Sequence, residues 1–225
     1  MRQLFLLLLL TSLITPFAFS QKLDREVKNL KGNVKSVESA SSPVDKSSGR
    51  AEARRVRTGR EEFDPSGNLT EETQYDQLGA VVAVVTYSYL DGERVVREEL
   101  KGQKGPRYTV KLRYKYDSNG NRTESTHVLS DGSTPIRLVY NFSANEREEL
   151  QYSAGGSLAY KFVHKLDEKG NEVETVTTRY VGVRDPVKVT TTYKYLDFDS
   201  LGNWTKRQES RDGDSWMIYR TIKYH

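Results

Sequence analysis

The sequence predicts an all-β protein: an antiparallel meander of about twelve to fourteen strongly twisted strands, built from repeated β-hairpins. Three observations predict it. Fourteen tyrosines accompany abundant Thr and Val, residue types that favour strands. Apolar and polar residues alternate over long segments, and an Asp-x-x-Gly-Asn motif typical of turns recurs between those segments. The pattern leaves open whether the sheet stays open or rolls up.

Residues 1–20 have the composition of a secretory signal peptide. Arg2 provides a basic start, an apolar stretch spans 4–14, and the small residues Ala18 and Ser20 precede the expected cleavage site. Because the apolar stretch is short, we expect no stable membrane span after cleavage. The predicted localisation is therefore exported, either periplasmic or extracellular.

The charge and cysteine content exclude several classes of protein. The net charge is only +4 with 29% charged residues, and both signs are interspersed along the chain. This balance is not the concentrated basic footprint of a nucleic-acid-binding protein, so no nucleic-acid partner is expected. The chain has no cysteine, which excludes disulfides and a cysteine-linked lipid anchor.

Residues 21–60 form a predicted N-terminal segment with little β pattern. Leu23, Val27 and Leu30 give a short helical face over 22–30, and a strand is expected through Val34 and Val37. The Ser-rich stretch from Ser39 to Gly49 predicts a mobile loop. Four arginines follow at 54, 55, 57 and 60. They fit a solvated loop and strand edge better than an anion-binding surface, since no aromatic residues are interleaved with them.

Residues 61–225 form the predicted β-hairpin domain, in which apolar residues occupy every second position. Strict alternation indicates strands with one buried and one solvated face. The clearest apolar phases are Val81, Ala83, Val85, Tyr87 and Tyr89; Tyr108, Val110, Leu112, Tyr114 and Tyr116; Ile136, Leu138, Tyr140 and Phe142; Leu158, Tyr160, Phe162, His164 and Leu166; and Val189, Thr191, Tyr193 and Tyr195.

The recurring turn has a mechanical explanation for each fixed residue. The aspartate accepts hydrogen bonds from backbone N–H groups just ahead of it, and the glycine takes the left-handed conformation that completes a type I turn with a G1 bulge. The predicted turn-forming residues are Asp64, Gly67 and Asn68; Asp117, Gly120 and Asn121; Asp167, Gly170 and Asn171; and Asp199, Gly202 and Asn203. Their role is predicted to be structural.

The segment Tyr114-Lys115-Tyr116-Asp117, continued by Gly120-Asn121, resembles the YD repeat of bacterial RHS/YD-repeat proteins. The end of the chain, Asp199 to Arg207 and Thr221 to Tyr224, is similar to that of small secreted YD-repeat-like proteins. The resemblance covers roughly residues 61–225 through four good and about four degraded motifs. In large relatives such repeats build a shell around a cargo. This chain is too short for that, so the resemblance implies only an exported bacterial protein made of hairpins.

No pattern of residues points to catalysis, a cofactor or a metal. The histidines are His127, His164 and His225, and none has a metal-ligand spacing. His164 lies in phase with Tyr160 and Phe162, so we expect a packed histidine there. The Asp117 turn lacks the spacing of a calcium loop. The sequence therefore predicts no enzyme, no cofactor and no metal.

Three functions fit these observations. The first is a non-enzymatic exported binding or scaffold protein of the cell envelope, with an envelope polysaccharide or another envelope protein as partner. The second is a ligand carrier or an enzyme, with a pocket lined by Tyr and Arg inside a rolled sheet. The third is an outer-membrane β-barrel, whose strands also alternate over about ten residues.

Overall fold

The computed structural model describes residues 22–90, 93–100 and 108–225. The predicted signal peptide lies outside these residues. A short helix, Asp24–Val27 (α1), precedes the strands, and no helix in the described ranges is long and apolar enough to cross a membrane. The strands are Val34–Pro43 (β1), Val56–Phe63 (β2), Leu69–Tyr75 (β3), Val81–Leu90 (β4), Glu93–Leu100 (β5), Tyr108–Tyr116 (β6), Arg122–Val128 (β7), Ile136–Phe142 (β8), Glu146–Ser153 (β9), Leu158–Leu166 (β10), Glu172–Arg179 (β11), Val187–Phe198 (β12), Trp204–Arg211 (β13) and Asp214–Tyr224 (β14).

The strands form a closed antiparallel barrel in which each strand pairs with its neighbours in sequence. β1 completes the circle because it pairs with β2 on one side and with β14 on the other. In the second ladder Val37 lies opposite Ile222. The prediction of an all-β hairpin meander is confirmed, and the sheet is rolled completely, so that no strand edge is left unpaired.

The predicted loop from Ser39 to Gly49 is wrong for its first half. Residues 39–43 belong to β1, with Ser39 opposite Arg220 on one side and Gly59 on the other. Backbone hydrogen bonding to two neighbouring strands needs no apolar side chains, so a Ser-rich segment serves as a strand inside a ladder. The predicted N-terminal segment 21–60 thus supplies β1 and the start of β2 to the same barrel.

The alternating residues divide between the inside and the outside of the barrel, because directly opposed residues of a ladder share one face. Strand β12 shows the division most clearly. Its inner residues are half-buried and its outer residues are exposed. The inner residues are Val189, Thr191, Tyr193 and Tyr195, and the outer ones are Lys188, Thr190, Thr192 and Lys194. The predicted apolar phase therefore faces the interior.

The four Asp-x-x-Gly-Asn turns lie at one end of the barrel, since each follows an even-numbered strand and precedes an odd-numbered one. In the β6–β7 turn the Asp117 carboxylate accepts hydrogen bonds from the backbone N–H groups of Asn119 at 2.9 Å and Asn121 at 2.8 Å. Gly120 has a φ of +76°, which a side chain would strain. The other three turn glycines also have positive φ values.

Two apolar clusters stabilise the barrel. One lies at the end that carries these four turns and consists of Leu30, Val34, Val37, Phe63 and Leu69. The other lies on the inner wall of β4, β5 and β6 and consists of Val85, Val96 and Val110. Leu30 belongs to the segment before β1, so the first cluster joins that segment to the wall.

Candidate functional site

The interior of the barrel is the candidate site, and its width follows from the strand number. An eight-stranded barrel is filled by its own side chains, whereas barrels of sixteen or more strands enclose an aqueous channel. This barrel has fourteen strands. Many inner side chains, among them those of Tyr160, Phe162 and Tyr193, remain partly accessible. The wall therefore encloses a lumen that its side chains do not fill.

Residues 22–33, which we call the cap, cross one end of this lumen. The cap makes a hydrogen bond to each of the four Asp-x-x-Gly-Asn turns. These bonds run from Lys22 N to Gly120 O (3.2 Å), from Arg25 N to Gly67 O (3.1 Å), from Asn29 Nδ2 to Asn171 Oδ1 (3.1 Å) and from Lys31 N to Asn203 Oδ1 (2.7 Å). The four turns are spread around the barrel, so a segment that touches all of them must span its mouth.

Within the described residues, the turn glycines at the two ends differ in what lies against them. A Cβ atom on Gly67 would lie 2.6 Å from Arg25, and one on Gly202 would lie 3.3 Å from Lys31. At the opposite end, a Cβ atom on Gly79 or Gly156 would meet nothing within 4 Å. We therefore distinguish the capped end from the uncapped end.

A buried ion pair fastens the cap to the wall. Asp24 Oδ1 lies 2.7 Å from Arg94 Nη1, with the two side chains 11% and 5% exposed. The other carboxylate oxygen of Asp24 accepts a hydrogen bond from Leu69 N at 2.9 Å. Arg122 approaches the same carboxylate at 3.6 Å, and its guanidinium lies over the ring of Tyr114 at 3.9 Å. One carboxylate of the cap thus neutralises charge contributed by two strands.

Lys28 provides a second attachment of the cap. Its Nζ lies 2.6 Å from Glu61 and 3.2 Å from Glu72. Burial alone would lower the pKa of Lys28, but the two carboxylates outweigh burial and raise it. Glu72 also accepts a hydrogen bond from the Tyr87 hydroxyl at 2.7 Å. The cap is therefore bound through charges of both signs.

A group of ionisable side chains lies on the inner wall of β9, β10 and β11. Arg147 is 2.7 Å from Glu172, and His164 Nδ1 is 3.3 Å from the same carboxylate and 3.1 Å from Thr175 Oγ1. His164 also stacks on Phe162, as expected from its phase. No cluster of His, Asp or Glu side chains in the described ranges is arranged to hold a metal ion.

Two glutamates of this group have pKa values shifted in opposite directions. Burial raises the pKa of Glu149, and the neighbouring Glu172 raises it further, although Arg147 and His164 oppose the shift. Burial would also raise the pKa of Glu172. There the hydrogen bond and charge of His164, together with the charge of Arg147, outweigh burial and lower it. One carboxyl group thus holds its proton more tightly than the other.

A cluster of aromatic and cationic side chains, the arginine–tryptophan cluster, lies on the inner wall of β13 and β14. It consists of Trp204, Arg207, Glu209 and Arg220. The guanidinium of Arg220 lies 3.6 Å from the centre of the Trp204 ring, and that of Arg207 lies 4.3 Å from it. Arg207 also forms an ion pair with Glu209. The ring of Tyr195 packs 5.9 Å from Trp204.

Among the residues that the structure describes, none is a counter-ion in direct contact with Arg220. Within the described ranges its side chain makes no hydrogen bond and has no carboxylate within 4.0 Å, and its Nε is enclosed without a partner. Burial, together with the nearby charge of Arg207, lowers its pKa to about 10, although the more distant carboxylates of Glu61 and Glu209 oppose the shift. Arg220 therefore stays protonated at neutral pH, and the cluster holds two cations against one carboxylate.

The outer wall is covered with charged side chains. These include two arginines of the cluster at 54–60 in the sequence. Arg57 pairs with Glu38 at 2.8 Å, and Arg60 pairs with Glu62 at 2.5 Å. Such pairs also occur far along the circumference of the barrel. They join Arg97 to Glu99, Lys115 and Arg137 to Glu124, Lys161 to Glu148, and Lys165 to Glu174.

The twelve predicted turn residues lie at the capped end, and several of them bind the cap as well as shaping turns. Asn203 is the clearest case, because its amide contacts both the N–H and the carbonyl of Lys31. The sequence did not identify Asp24, Arg94 or Arg220 as site residues. Arg220 left one signal, since it interrupts the apolar phase of Trp216, Ile218 and Ile222.

Comparisons with known proteins find a similar fold but identify no family. No family model and no curated protein matches the chain. Among solved structures, a porin-like protein from Bacteroides uniformis is similar, with a TM-score of 0.51 and 13% sequence identity. The match covers 84% of this chain and 96% of that one. At this identity the likeness extends to the β-barrel fold, and the YD-repeat resemblance remains a prediction.

Proposed function

We propose that the protein is an exported, non-enzymatic, water-soluble β-barrel that binds a small polar ligand in its capped lumen. The observation that carries this proposal is the distribution of charge between the two faces of the wall. Charged residues, several of them paired with one another, occur along the outer face in the middle of strands, while the inner face carries tyrosines together with arginines and glutamates.

The outer face favours water over lipid. Strand β6 alone directs Lys111, Arg113 and Lys115 outward, and the Lys115 side chain is 72% exposed. Placing a Lys or Arg of a barrel against the middle of a bilayer costs about 2–4 kcal/mol. Outward lysines and arginines on many strands would multiply this cost.

The cap favours binding over passage. A channel needs two open ends, whereas residues 22–33 cross one end and are fixed there by one buried and one half-buried ion pair. A barrel closed at one end forms a cup, and mouths and interiors of barrels are common places for small ligands. The half-buried tyrosines and arginines of the inner wall supply rings for stacking and donors for hydrogen bonds.

Cell fractionation tests the proposal directly. We expect the mature protein in the soluble periplasmic or secreted fraction, and we expect the purified protein to remain monodisperse without detergent. Recovery in the outer membrane, with extraction only by detergent, would refute it. A variant that replaces Arg113, near the middle of β6, by Leu is a useful companion, because it should reduce detergent-free solubility if the wall is hydrated.

An outer-membrane barrel is the second candidate, and the similarity to a porin-like protein favours it. In that case the outward charges would need to lie outside the hydrocarbon layer. The same Arg113→Leu variant separates the two candidates, because a lipid-facing position near mid-strand tolerates leucine better than arginine. Increased membrane insertion of this variant would support the second candidate.

A further inference from the structure

We infer that the arginine–tryptophan cluster is the binding site for an oxyanion group, a carboxylate or a phosphate, carried by the lumen ligand. The inference rests on the proposed function, because it names the chemistry of the ligand that the lumen would hold. It depends on the side chains of Trp204, Arg207, Glu209 and Arg220 and on their contacts.

The charge balance of the cluster is the first step. Arg207 pairs with Glu209, so these two charges neutralise each other. Arg220 remains as an additional cation with no carboxylate within 4.0 Å among the described residues. An enclosed charge is expensive unless it is paired, so this position favours an anion from outside the chain.

The barrel contains a comparable arginine site in which the carboxylate comes from the protein itself. At the cap, Arg94 lies over the ring of Tyr87 at 4.5 Å and binds the carboxylate of Asp24 at 2.7 Å. Arg220 repeats the stacking of a guanidinium on an aromatic ring, because its guanidinium lies 3.6 Å from the centre of the Trp204 ring. At Arg94 the cap supplies the carboxylate, and at Arg220 a ligand would supply it.

The guanidinium groups are held in place before any ligand binds. Trp204 contacts both arginines, and Arg207 also lies over the ring of Tyr193 at 4.5 Å. Stacking fixes the planar guanidinium groups, so that less rotamer freedom is lost when an anion binds. Arginine donors match the two oxygens of a carboxylate or phosphate, which a single lysine ammonium does not.

Trp204 also provides a fluorescence signal with which ligand binding can be measured. The protein has two tryptophans, Trp204 and Trp216, so Trp216→Phe leaves the cluster residue as the only tryptophan. This variant is titrated with sodium glucuronate, with inorganic phosphate and with neutral glucose, while emission is recorded at low and high salt. We expect a saturable change with at least one of the two anions, a smaller effect at high salt, and a weaker response to glucose. The stronger anion identifies carboxylate or phosphate as the natural group.

Substitution of Arg220 then locates the site. Arg220→Gln should weaken anion binding by about 10-fold or more, since hydrogen bonds to charged groups contribute about 1.5–3 kcal/mol. Arg211→Gln is the matched control. Arg211 lies on the inner wall of the same strand as Arg207 but near Trp216, and its removal should change affinity by less than about 3-fold.

Each outcome decides the inference. Loss of binding in Arg220→Gln with retention in Arg211→Gln supports it, and partial retention in Arg220→Lys supports the role of charge. Equal affinity in wild type and Arg220→Gln overturns it. If Arg220→Gln does not fold, the Trp216→Phe protein still decides, because no saturable response to either anion overturns the site. A soluble protein that binds glucose but neither anion refutes this inference alone, whereas a membrane-bound protein refutes the proposed function.

Discussion

Asp24 and Arg94 lie 2.7 Å apart in the interior of the molecule and connect the cap to the wall of the barrel. The two residues are separated by 70 positions in the sequence. Because both side chains are almost completely buried, neither charge has water as an alternative partner. The closed end of the barrel therefore depends on an ion pair in addition to the apolar contacts of Leu30.

Asp24→Asn is expected to lower the free energy of unfolding by about 2–4 kcal/mol, because it removes the buried carboxylate charge that Arg94 Nη1 binds. Chemical denaturation followed by circular dichroism measures the change. The control is Glu99→Gln, which removes the same charge from a pair that is 51% and 54% exposed. This control should cost less than about 1 kcal/mol. Equal effects of the two substitutions would contradict the assigned role of Asp24.

Gly67 and Gly79 provide a second comparison, since both have positive φ values, of +96° and +81°. An alanine at either position should cost about 1 kcal/mol in backbone strain. At Gly67 the new Cβ would lie 2.6 Å from Arg25, whereas at Gly79 it would meet nothing within 4 Å. Gly67→Ala should therefore cost up to about 1 kcal/mol more, because the Arg25 side chain must move aside and lose its hydrogen bond to Asn33 Oδ1. Thermal unfolding of the two variants measures the difference, and identical midpoints would argue against a docked cap.

Asn203 is expected to hold the last part of the cap. Its side chain accepts a hydrogen bond from Lys31 N at 2.7 Å and donates to Lys31 O at 2.9 Å. Asn203→Ala removes the hydrogen-bond partner of the half-buried Lys31 N–H, which costs about 0.5–1.5 kcal/mol, so amide exchange in the cap should accelerate by about 2- to 10-fold.

Asn121→Ala is the matched control for Asn203→Ala. The Asn121 amide bonds to Asp117 within its own turn at 2.9 Å. Its loss should therefore increase exchange near that turn and leave residues 28–33 protected. Hydrogen exchange with mass spectrometry resolves the two regions. Faster exchange at 28–33 in both variants would show that the cap responds to any loosening of the turns.

Local patterns made the strands predictable, but long-range pairing made the barrel unpredictable. The alternation around Tyr193 and Tyr195 fixes which side chains share a face, because the period of two is a property of the extended backbone. Closure depends on the ladder between β1 and β14, in which Val37 lies opposite Ile222. Backbone groups form that ladder, and the Ser-rich strand β1 has no regular apolar alternation from which its pairing with β14 could be predicted.

The site was harder to predict than the fold, for a similar reason. The interpretation of the turns as purely structural accounted for Asp199 and Gly202 but not for the cap that Asn203 binds. Local turn geometry explains those residues completely, so nothing in the sequence indicated a second role. Arg220 was not predicted either, but its position gives a usable signal. It is a charged residue that interrupts an alternating apolar phase, and such an interruption is visible in the sequence.

Glu149 and Glu172 should give opposite dependences of stability on pH. The folded-state pKa of Glu149 is raised above the ordinary 4.5, mainly by burial. Below pH 4.5 the group is protonated in both the folded and the unfolded protein, and as the pH rises toward the folded pKa the unfolded state gains by ionising. Glu149→Gln should therefore stabilise the protein at neutral pH, with the gain disappearing on acidification.

Glu172 shows the reverse behaviour, because His164 and Arg147 outweigh its burial and lower its pKa below 4.5. Its ionised form stabilises the folded protein above that pH, and the stabilisation is lost as the pH falls through the folded pKa. Glu172→Gln should destabilise the protein at neutral pH, and the difference from wild type should shrink in acid. Urea denaturation between about pH 3 and pH 8 tests both variants, with Glu99→Gln as the exposed reference. Parallel curves for Glu149→Gln and Glu172→Gln would contradict the opposite environments assigned to the two carboxyl groups.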